Sequence, residues 1–302
     1  MINIENLPKI DGEYQFNAPL APYTTLKIGG KADVLFTPQS LDELTNFMKN
    51  LSLDVPVTLL GEGSNMMLRD GGIRGVVIRL NEGLNDVTVL GNIITAGAGA
   101  TGGKVARAAR EHELTGIEFL CGIPGSVGGA LKMNAGAYGH ETADILQSVR
   151  VLTPTGDIKT LLPEDLDFSY RLSHLPVGWL FLEATFVLKK GNKQDIRHKM
   201  RQINKDRATS QPLNKPSSGS WFKNITLEDG EKIHAWQAVD EAGCRGMTFG
   251  GAQVSEKHCN FFINAHNATA TDMETLTEMV EKQVYDKLGI VLQREVRFIG
   301  ER

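Results

Sequence analysis

Several features are scarce in this sequence of 302 residues, and each scarcity excludes a class of protein. Its three cysteines, Cys121, Cys244 and Cys259, are widely spaced and form no C-x-x-C pair, so we expect reduced thiols rather than a disulfide framework or a zinc site. Apolar runs such as residues 179–182 stop at a charged residue, far short of a membrane span. The start, MINIENLPKI, has no apolar centre and does not resemble a signal peptide.

An excess of one charge sign is also missing. The sequence has 32 basic and 36 acidic residues, which gives a net charge of −4, and it contains no basic run. A mildly acidic chain argues against nucleic acid as the main partner. Together these absences predict a cytoplasmic protein without a nucleic-acid or membrane partner. The 41% hydrophobic content is enough for two or three lobes with their own cores.

Glycine, by contrast, is concentrated in one stretch. Residues 122–139 read GIPGSVGGALKMNAGAYG and contain six glycines and Pro124. Such a segment lets the backbone approach a ligand where a Cβ atom would clash. It carries almost no charge, so its contacts would come from backbone groups and Asn134, which suits a flat or diphosphate-bearing cofactor. A glycine-rich loop that only crosses beneath another element remains an alternative.

A second glycine loop follows a predicted strand. Residues 32–36 and 55–60 read as apolar strands, and a helix over 41–51 lies between them, with Ser40 and Glu43 as a capping box. This order predicts a βαβ unit with parallel pairing. The second strand runs directly into the sequence GEGSN, and a small polar loop at the carboxyl end of a strand is a common phosphate site.

A third glycine pattern imitates a nicotinamide site. Gly97, Gly99 and Gly102 fit G-x-G-x-x-G between a strand and a helix over 104–111. The preceding strand, however, belongs to a predicted hairpin (87–90 and 93–96), and no apolar parallel strand follows the helix. We therefore do not expect a Rossmann unit there.

The rest of the chain alternates between strand and helix patterns. Strands are predicted at 75–80, 149–152, 158–162, 179–188, 261–264 and 290–299, helices at 191–207, 235–242 and after a Thr271–Glu274 capping box, and a linker at 211–219. We place the domain boundary near residues 206–215.

Three polar residues stand out because packing does not require them. Arg171 lies between apolar neighbours in F-S-Y-R-L-S, Ser220 precedes two aromatic residues, and Glu295 lies in the last predicted strand. Taken singly, each has an ordinary explanation as a surface arginine, a helix or turn cap, or a glutamate paired with Arg297.

Eight motifs in a fixed order give the sequence a family resemblance. They are T-T-L-K-I-G-G (24–30), L-G-E-G-S-N (60–65), G-I-P-G-S-V-G-G-A (122–130), N-A-G-A-Y-G (134–139), S-Y-R (169–171), G-S-W-F-K-N (219–224), G-G-A-Q-V-S-E-K-H (250–258) and E-V-R-F-I-G (295–300). Together they resemble the UDP-N-acetylenolpyruvoylglucosamine reductase family and cover nearly the whole chain.

The resemblance implies a fold class and a cofactor. The fold would be α+β, with a two-lobed FAD-binding portion of the vanillyl-alcohol oxidase type over residues 1–205 (lobes about 22–80 and 81–205). A C-terminal α+β substrate-binding domain would occupy 206–302. The family binds FAD without a covalent link and takes hydride from NADPH to reduce a sugar nucleotide, which makes UDP-N-acetylmuramate for bacterial cell walls.

The resemblance also implies roles for individual residues. Arg171 and Glu295 would polarise the substrate carboxylate, and Ser220 would protonate its C2 carbon. The FAD-binding residues implied are Gly61, Glu62, Gly63, Ser64, Asn65, Ile123, Pro124, Gly125, Ser126, Gly128, Gly129, Asn134, Ala135, Gly136, Ala137 and Tyr138. The substrate-binding residues implied are Arg207, Lys215, Lys223, Asn224 and His258.

The sequence departs from the family pattern in a few places. The short spacing between Arg171 and Ser220 matches the branch without a tyrosine-bearing insertion. Trp221, Ile225 and Arg294 stand where other residues are usual, which leaves the shape of the pocket open. Two other functions are compatible with the glycine loops: a flavin oxidase with covalently held FAD, and a sugar-nucleotide binding protein without catalysis.

Overall fold

The computed structural model describes residues 7–10, 12, 14–80, 83–226, 230 and 232–302. Its α-helices are α1 (Leu41–Asn50), α2 (Gly102–Glu111), α3 (Val127–Lys132), α4 (Lys193–Ser210), α5 (Ala235–Glu241) and α6 (Ala270–Leu288). Its strands are β1 (Tyr14–Pro19), β2 (Lys31–Phe36), β3 (Val57–Leu60), β4 (Met66–Leu68), β5 (Ile73–Arg79), β6 (Val87–Leu90), β7 (Ile93–Gly97), β8 (Leu114–Thr115), β9 (Gly136–Ala137), β10 (His140–Glu141), β11 (Leu146–Leu152), β12 (Ile158–Leu161), β13 (Leu180–Val187), β14 (Lys189–Lys190), β15 (Ser217–Ser220), β16 (Ile225–Thr226), β17 (Lys232–Ile233), β18 (Thr248–Phe249), β19 (Ala252–Val254), β20 (Phe261–Asn264) and β21 (Arg297–Ile299).

The chain forms two compact units, and both are discontinuous in sequence. Unit 1 consists of Met1–Asn17, Asp33–Glu62 and Gly75–Asp206. Unit 2 consists of Ala18–Ala32, Gly63–Arg74 and Arg207–Arg302. The roles expected for the two domains, FAD binding and substrate binding, stay predictions.

The first sheet of unit 1 has the strand order β1-β2-β5-β3. The predicted strand–helix–strand unit exists, but β2 and β3 do not pair directly, because β5 lies between them and pairs with β3 in parallel. Strand β5 takes the central position because four consecutive residues of it, 75–78, are buried. Helix α1 packs Leu44 and Phe47 into the core, and Ser40 caps it by accepting a hydrogen bond from the Glu43 N–H.

The second sheet of unit 1 has the order β12-β11-β13-β7-β6, and every pairing in it is antiparallel. The predicted hairpin of β6 and β7 is confirmed, with Gly91 at a φ of +64° in its turn. Strand β7 therefore has antiparallel neighbours on both sides. This geometry bears out the rejection of a Rossmann site at Gly97, which would need parallel strands.

Unit 2 is built around a sheet of order β15-β20-β19-β18 and the helices α5 and α6. The fully buried Trp221 stacks on Phe262 with ring centroids 4.7 Å apart, and its indole N–H donates to Thr277 on α6 over 2.9 Å. Leu26, Ile28 and Met67 belong to the same apolar core, so all three stretches of the chain contribute to it. Strand β21 pairs with β4 in parallel.

Three local predictions in the C-terminal region are corrected. Helix α6 is capped by Thr269 and Asp272 rather than by Thr271 and Glu274, since the Thr269 hydroxyl accepts from the Asp272 N–H and Thr271 instead bonds to Asp70. The last strand is confined to residues 297–299, so Glu295 precedes it. The predicted linker is partly structured, because its end forms β15. None of the described helices is long and apolar enough to cross a membrane.

Candidate active site

The two predicted cofactor loops meet in unit 1. A Cβ atom added at Gly61 would lie 2.8 Å from the Ser126 hydroxyl oxygen, so the backbone at the end of β3 runs against the start of α3. Gly128 approaches Ala98 closely, with an added Cβ 3.2 Å from the alanine methyl group. Glycine at these two positions therefore allows the segments to pack against each other.

The N-terminus of α3 uses its own backbone donors. The Val127 and Gly128 N–H groups donate to Ala100 and Ala98 over 2.8 Å each, and the Gly129 N–H donates to the Ser126 side chain over 3.3 Å. The turn before α3 contains Gly125 at a φ of +131°, a conformation that glycine adopts more readily than any other residue.

Asn134 is buried and ties three segments of unit 1 together. Its side chain is fully buried and its φ is +38°, a left-handed conformation that asparagine tolerates better than most residues. Its Nδ2 donates to the Ser169 carbonyl over 3.2 Å, and its Oδ1 accepts from the Ala143 N–H over 3.1 Å. The amide predicted to face the cofactor thus anchors the turn that carries Arg171.

Arg171 occupies the tip of that turn. Ser169 and Leu172 exchange two backbone hydrogen bonds of 3.0 and 3.1 Å, which closes a two-residue loop with Arg171 at a φ of +59°. The guanidinium stacks over the Tyr170 ring, 5.0 Å from its centroid. A left-handed arginine is unusual and marks a site whose position is held by its surroundings.

The other cofactor candidates of this stretch lie at varied depths. Ile123 is half-buried, Pro124 is exposed and Ala135 is buried, while Gly136 and Ala137 form the short strand β9. Tyr138 is half exposed, and its hydroxyl donates to the Ile203 carbonyl on α4 over 3.3 Å.

The first glycine loop is divided between the units, with Gly61 and Glu62 in unit 1 and Gly63, Ser64 and Asn65 in unit 2. Gly63 has a φ of +59°, and an added Cβ would lie 2.6 Å from the Tyr23 carbonyl oxygen. The Asn65 side chain donates to the Glu295 carbonyl over 3.2 Å, and the Asn65 carbonyl accepts from the Arg297 N–H over 3.1 Å. A predicted cofactor residue therefore holds the backbone of a predicted catalytic residue.

Ser220 lies at a β-bulge. In the pairing of β15 with β20, Ser217 faces Ile263 and Ser220 faces Phe261, so β15 has one extra residue between the two pairs. Gly219 supplies the turn with a φ of +74° and has open space around its Cα. Bulges re-aim side chains and are common beside active sites, so this bulge gives Ser220 a direction that a regular strand would not.

Glu295 and Ser220 lie on adjoining backbone segments. The Glu295 N–H donates to the carbonyl of Trp221, the residue after Ser220, over 2.8 Å, and Phe222 forms an isolated bridge with Arg294. Arg294 makes a bidentate pair with Glu281 on α6, with both contacts at 2.6 Å, and stacks over Phe298. This pair gives Arg294, one of the departures from the family pattern, a structural role.

The predicted substrate-binding residues all belong to unit 2. Arg207 donates to Gln211 over 3.0 Å, Lys215 is exposed and Lys223 is half-buried. Asn224 accepts a hydrogen bond from the Ala235 N–H at the start of α5. His258 lies against Phe261, and burial is the main cause that holds the pKa of His258 below its usual value.

Sequence reasoning missed Asn260. Its side chain is almost fully buried and forms hydrogen bonds to both backbone groups of Phe222. The only sequence signal is a polar residue at the head of the apolar run F-F-I, and this pattern is also typical of an ordinary turn.

Comparisons with known proteins agree along the whole chain. A family model described as an FAD binding domain matches residues 32–162, and one described as the UDP-N-acetylenolpyruvoylglucosamine reductase C-terminal domain matches residues 211–299. The reductase of that name from Paramagnetospirillum magneticum is 47% identical, covering 98% of this chain and 95% of its own length. The one from Parvibaculum lavamentivorans is 46% identical, covering 99% and 95%.

A solved structure supports the same relationship. The UDP-N-acetylenolpyruvylglucosamine reductase of Thermus caldophilus superposes with a TM-score of 0.80 at 34% identity, covering 95% of this chain and 98% of that one. With the mixed helices and strands, these matches confirm an α+β fold with an FAD-binding portion and a C-terminal domain of the reductase family. The vanillyl-alcohol oxidase type of the FAD-binding portion stays a prediction.

Proposed function

Because the chain belongs to the UDP-N-acetylenolpyruvoylglucosamine reductase family, we propose that it uses NADPH to reduce UDP-N-acetylglucosamine-enolpyruvate to UDP-N-acetylmuramate. The observation that carries the site assignment is the adjoining placement of Ser220 and Glu295, with Asn65 bonded to the same backbone. A proton donor and a carboxylate on neighbouring segments suit a reaction that adds hydride to one carbon and a proton to the next.

The cofactor of this family is FAD, which when bound carries hydride from NADPH to the C3 carbon of the enolpyruvyl group. Gly61 lets the two loops pack against each other, and this close packing supports the proposal that both loops contact one ligand. In our proposal Gly61 to Asn65 and Ile123 to Gly129 hold the FAD, and Asn134 to Tyr138 lie toward its ring.

Arg171 and Glu295 would act on the substrate carboxylate. An enolpyruvyl ether is electron-rich and resists hydride addition, so negative charge that moves onto the carboxylate must be stabilised. The planar guanidinium of Arg171 offers two parallel donors to a carboxylate. Glu295 helps if it shares a proton with the substrate carboxyl group as the charge develops.

Ser220 would complete the reaction. Hydride addition at C3 breaks the carbon–carbon double bond and leaves an electron pair at C2, and the Ser220 hydroxyl donates its proton there. A serine hydroxyl is a weak acid, so its orientation must be fixed closely, and the bulge in β15 provides a fixed orientation.

The sugar nucleotide brings two phosphate charges to the site. Arg207, Lys215 and Lys223 are the cations that we propose for the diphosphate, and Asn224 and His258 would provide polar contacts. Burial holds the pKa of His258 below its usual value and so favours the neutral ring, and we expect His258 to act through hydrogen bonds.

We also propose that the product serves peptidoglycan synthesis in the cytoplasm, and thereby cell shape, the cell cycle and division. The three cysteines are free thiols, as a reducing compartment would keep them. Nucleic acid and membrane are not expected as partners.

The function can be tested with the two half-reactions. NADPH added without oxygen should bleach the absorbance of the bound flavin, and the enolpyruvyl substrate should restore it. A colourless protein, or a reduced flavin that the substrate does not reoxidise, would contradict the proposal. FAD that stays with the protein after acid precipitation would instead indicate a covalent flavin oxidase.

A further inference from the structure

Asn260 forms hydrogen bonds with three of the four backbone groups of the two residues that follow Ser220. Its Nδ2 donates to the Phe222 carbonyl over 2.8 Å, and its Oδ1 accepts from the Phe222 N–H over 2.9 Å. Its own carbonyl accepts from the Trp221 N–H over 2.8 Å. The asparagine side chain therefore pairs with Phe222 as the backbone of a neighbouring strand would.

The side chain of Asn260 takes the place of strand backbone here because the neighbouring strand ends. Strand β20 begins at Phe261, opposite Ser220, and the Phe261 N–H turns back to the His258 carbonyl over 2.9 Å. The chain before Phe261 therefore cannot extend the strand ladder as far as Phe222. The side chain of Asn260 reaches that position instead and leaves neither Phe222 group without a partner.

The backbone of Glu295 pairs with the other edge of the segment formed by residues 220–222. The Trp221 carbonyl accepts from the Glu295 N–H over 2.8 Å, and Phe222 bridges to Arg294. The segment 220–222 is thus clamped between Asn260 on one side and residues 294–296 on the other. Its register determines where the Ser220 hydroxyl lies relative to Glu295.

We propose that Asn260 is a positioning residue that acts through Ser220, an inference that rests on the proposed function of Ser220 as proton donor. Asn260 is 4% exposed and uses its amide for the backbone, so it does not contact the substrate itself. The backbone N–H of Asn260 donates to His258 Nδ1 over 3.2 Å. When the His258 ring is neutral, its proton therefore lies on Nε2. The side chain of Asn260 therefore holds the segment that follows Ser220, and its backbone holds His258.

The experiment uses Asn260→Asp in the flavin-loaded enzyme. A carboxylate has the same shape but cannot donate to the Phe222 carbonyl, so the segment should shift by a fraction of an ångström. Small misplacements cost up to about 10²-fold in rate, and we expect flavin reoxidation by the enolpyruvyl substrate to slow by about 10- to 100-fold. Flavin reduction by NADPH should stay within about twofold of the wild-type rate, since no proton at C2 is involved.

A double-mutant cycle separates positioning from general damage. If Asn260 acts through Ser220, Asn260→Asp should add little to the slowing already caused by Ser220→Ala. Fully additive effects, or equal slowing of both half-reactions, would overturn the inference. A wild-type enzyme that cannot reduce the enolpyruvyl substrate would instead refute the proposed function, so the two failures are distinguishable.

Asn264, at the end of strand β20, is the matched control. Its Nδ2 donates to the Leu26 carbonyl over 3.2 Å and its Oδ1 accepts from the Ala268 N–H over 2.7 Å, so it makes a comparable pair of backbone bonds elsewhere in unit 2. Asn264→Asp should lower the melting temperature similarly and leave both half-reactions near wild type. If Asn260→Asp does not fold, Asn260→Ser is measured in the same way. Loss of the fold in both variants would assign Asn260 a purely structural role and overturn the inference.

Discussion

A buried asparagine holds the backbone near each of the proposed catalytic regions, but the two do so differently. Asn260 in unit 2 bonds to both backbone groups of one residue, Phe222, and so extends a strand ladder. Asn134 in unit 1 bonds to two distant residues, Ser169 and Ala143, and so ties a turn to the glycine-rich segment. Asn260 therefore fixes the alignment of residues 220–222 with the neighbouring strand, whereas Asn134 fixes the position of the turn that carries Arg171.

The difference leads to distinct kinetic expectations. Changes to the glycine turn at residues 122–129 in unit 1 should affect flavin binding and therefore both half-reactions. Changes in unit 2 around Ser220 should affect only the step that consumes the sugar nucleotide. Variants in the two units therefore test whether the two regions act on different steps.

The largest effect is expected for Gly125→Val in unit 1. Gly125 has a φ of +131°, which a β-branched residue can hardly adopt, so the turn should deform and the enzyme should purify without flavin and without activity. Flavin content measured by absorbance tests this. Gly103→Ala is the control, since its Cβ would meet only the Arg107 side chain at 3.5 Å, and it should stay yellow. Stoichiometric flavin in Gly125→Val would contradict the assignment of this loop.

Ser220→Ala should have the next largest effect, confined to unit 2. Loss of a positioned general acid typically costs about 10²–10⁴-fold, or roughly 3–5 kcal/mol of barrier. Stopped-flow absorbance should show slow reoxidation by substrate and normal reduction by NADPH. Ser220→Cys should recover part of the rate, and Ser217→Ala on the same strand should behave as wild type. If Ser220 only caps a turn, the cost would be about 1 kcal/mol of stability and little rate.

Arg171→Ala and Glu295→Gln link the two sides of the comparison. Each should lower kcat by about 10²–10³-fold, with a smaller rise in KM, because the contact with the substrate carboxylate strengthens as charge develops. Steady-state kinetics of the double mutant should show losses well below additive. Arg150→Ala, which removes a half-exposed pair with Glu183 at 3.7 Å, should change neither constant. Additive losses would place Arg171 and Glu295 at separate sites.

The smallest effect is expected for Asn134→Asp. The carboxylate can still accept from the Ala143 N–H but cannot donate to Ser169, so the turn of Arg171 loses one anchor. We expect about a tenfold loss of kcat and about 1–3 kcal/mol of unfolding free energy for the buried group left unpaired. Asn92→Ala, which removes a partly buried hydrogen bond to the Leu188 carbonyl far from Arg171 in the sequence, provides the control in thermal unfolding and kinetics. An unchanged kcat for Asn134→Asp would show that the turn holds Arg171 without it.

Much of the fold follows from local sequence signals. The hairpin of β6 and β7 was predictable from two short apolar strands around Gly91 and Asn92, and helix α1 from its periodicity and its Ser40 cap. The insertion of β5 between β2 and β3 was not, since strand order depends on which strand buries most surface in the finished sheet. The cap of α6 was misplaced because Thr269 and Thr271 compete for it, and Asp70, which is distant in sequence, bonds to Thr271.

The site was predictable only as a set of residue types. Motif order indicated Arg171, Ser220 and Glu295, but the bulge at Ser220 arises from pairing with a strand some forty residues away along the sequence. Asn260 could not be predicted for the same reason. Its proposed role comes from hydrogen bonds to Phe222, which is distant in the sequence, and not from the residues beside it in the sequence. Long-range backbone pairing is the part that composition and periodicity do not encode.

The discontinuity of unit 2 also bears on how the protein is made. Asp70 accepts hydrogen bonds from the N–H groups of Ala270 and Thr271, so the first turn of α6 is capped by a side chain that leaves the ribosome 200 residues earlier. Met67 and Leu26 likewise belong to an apolar core whose other members include residues of α5 and α6, which are synthesised much later. Such long-range closures are slow because chain entropy must be lost before the contacts form. Unit 2 therefore completes its folding only after nearly the whole chain has been synthesised. Until then its two early segments expose apolar surface that a chaperone could recognise.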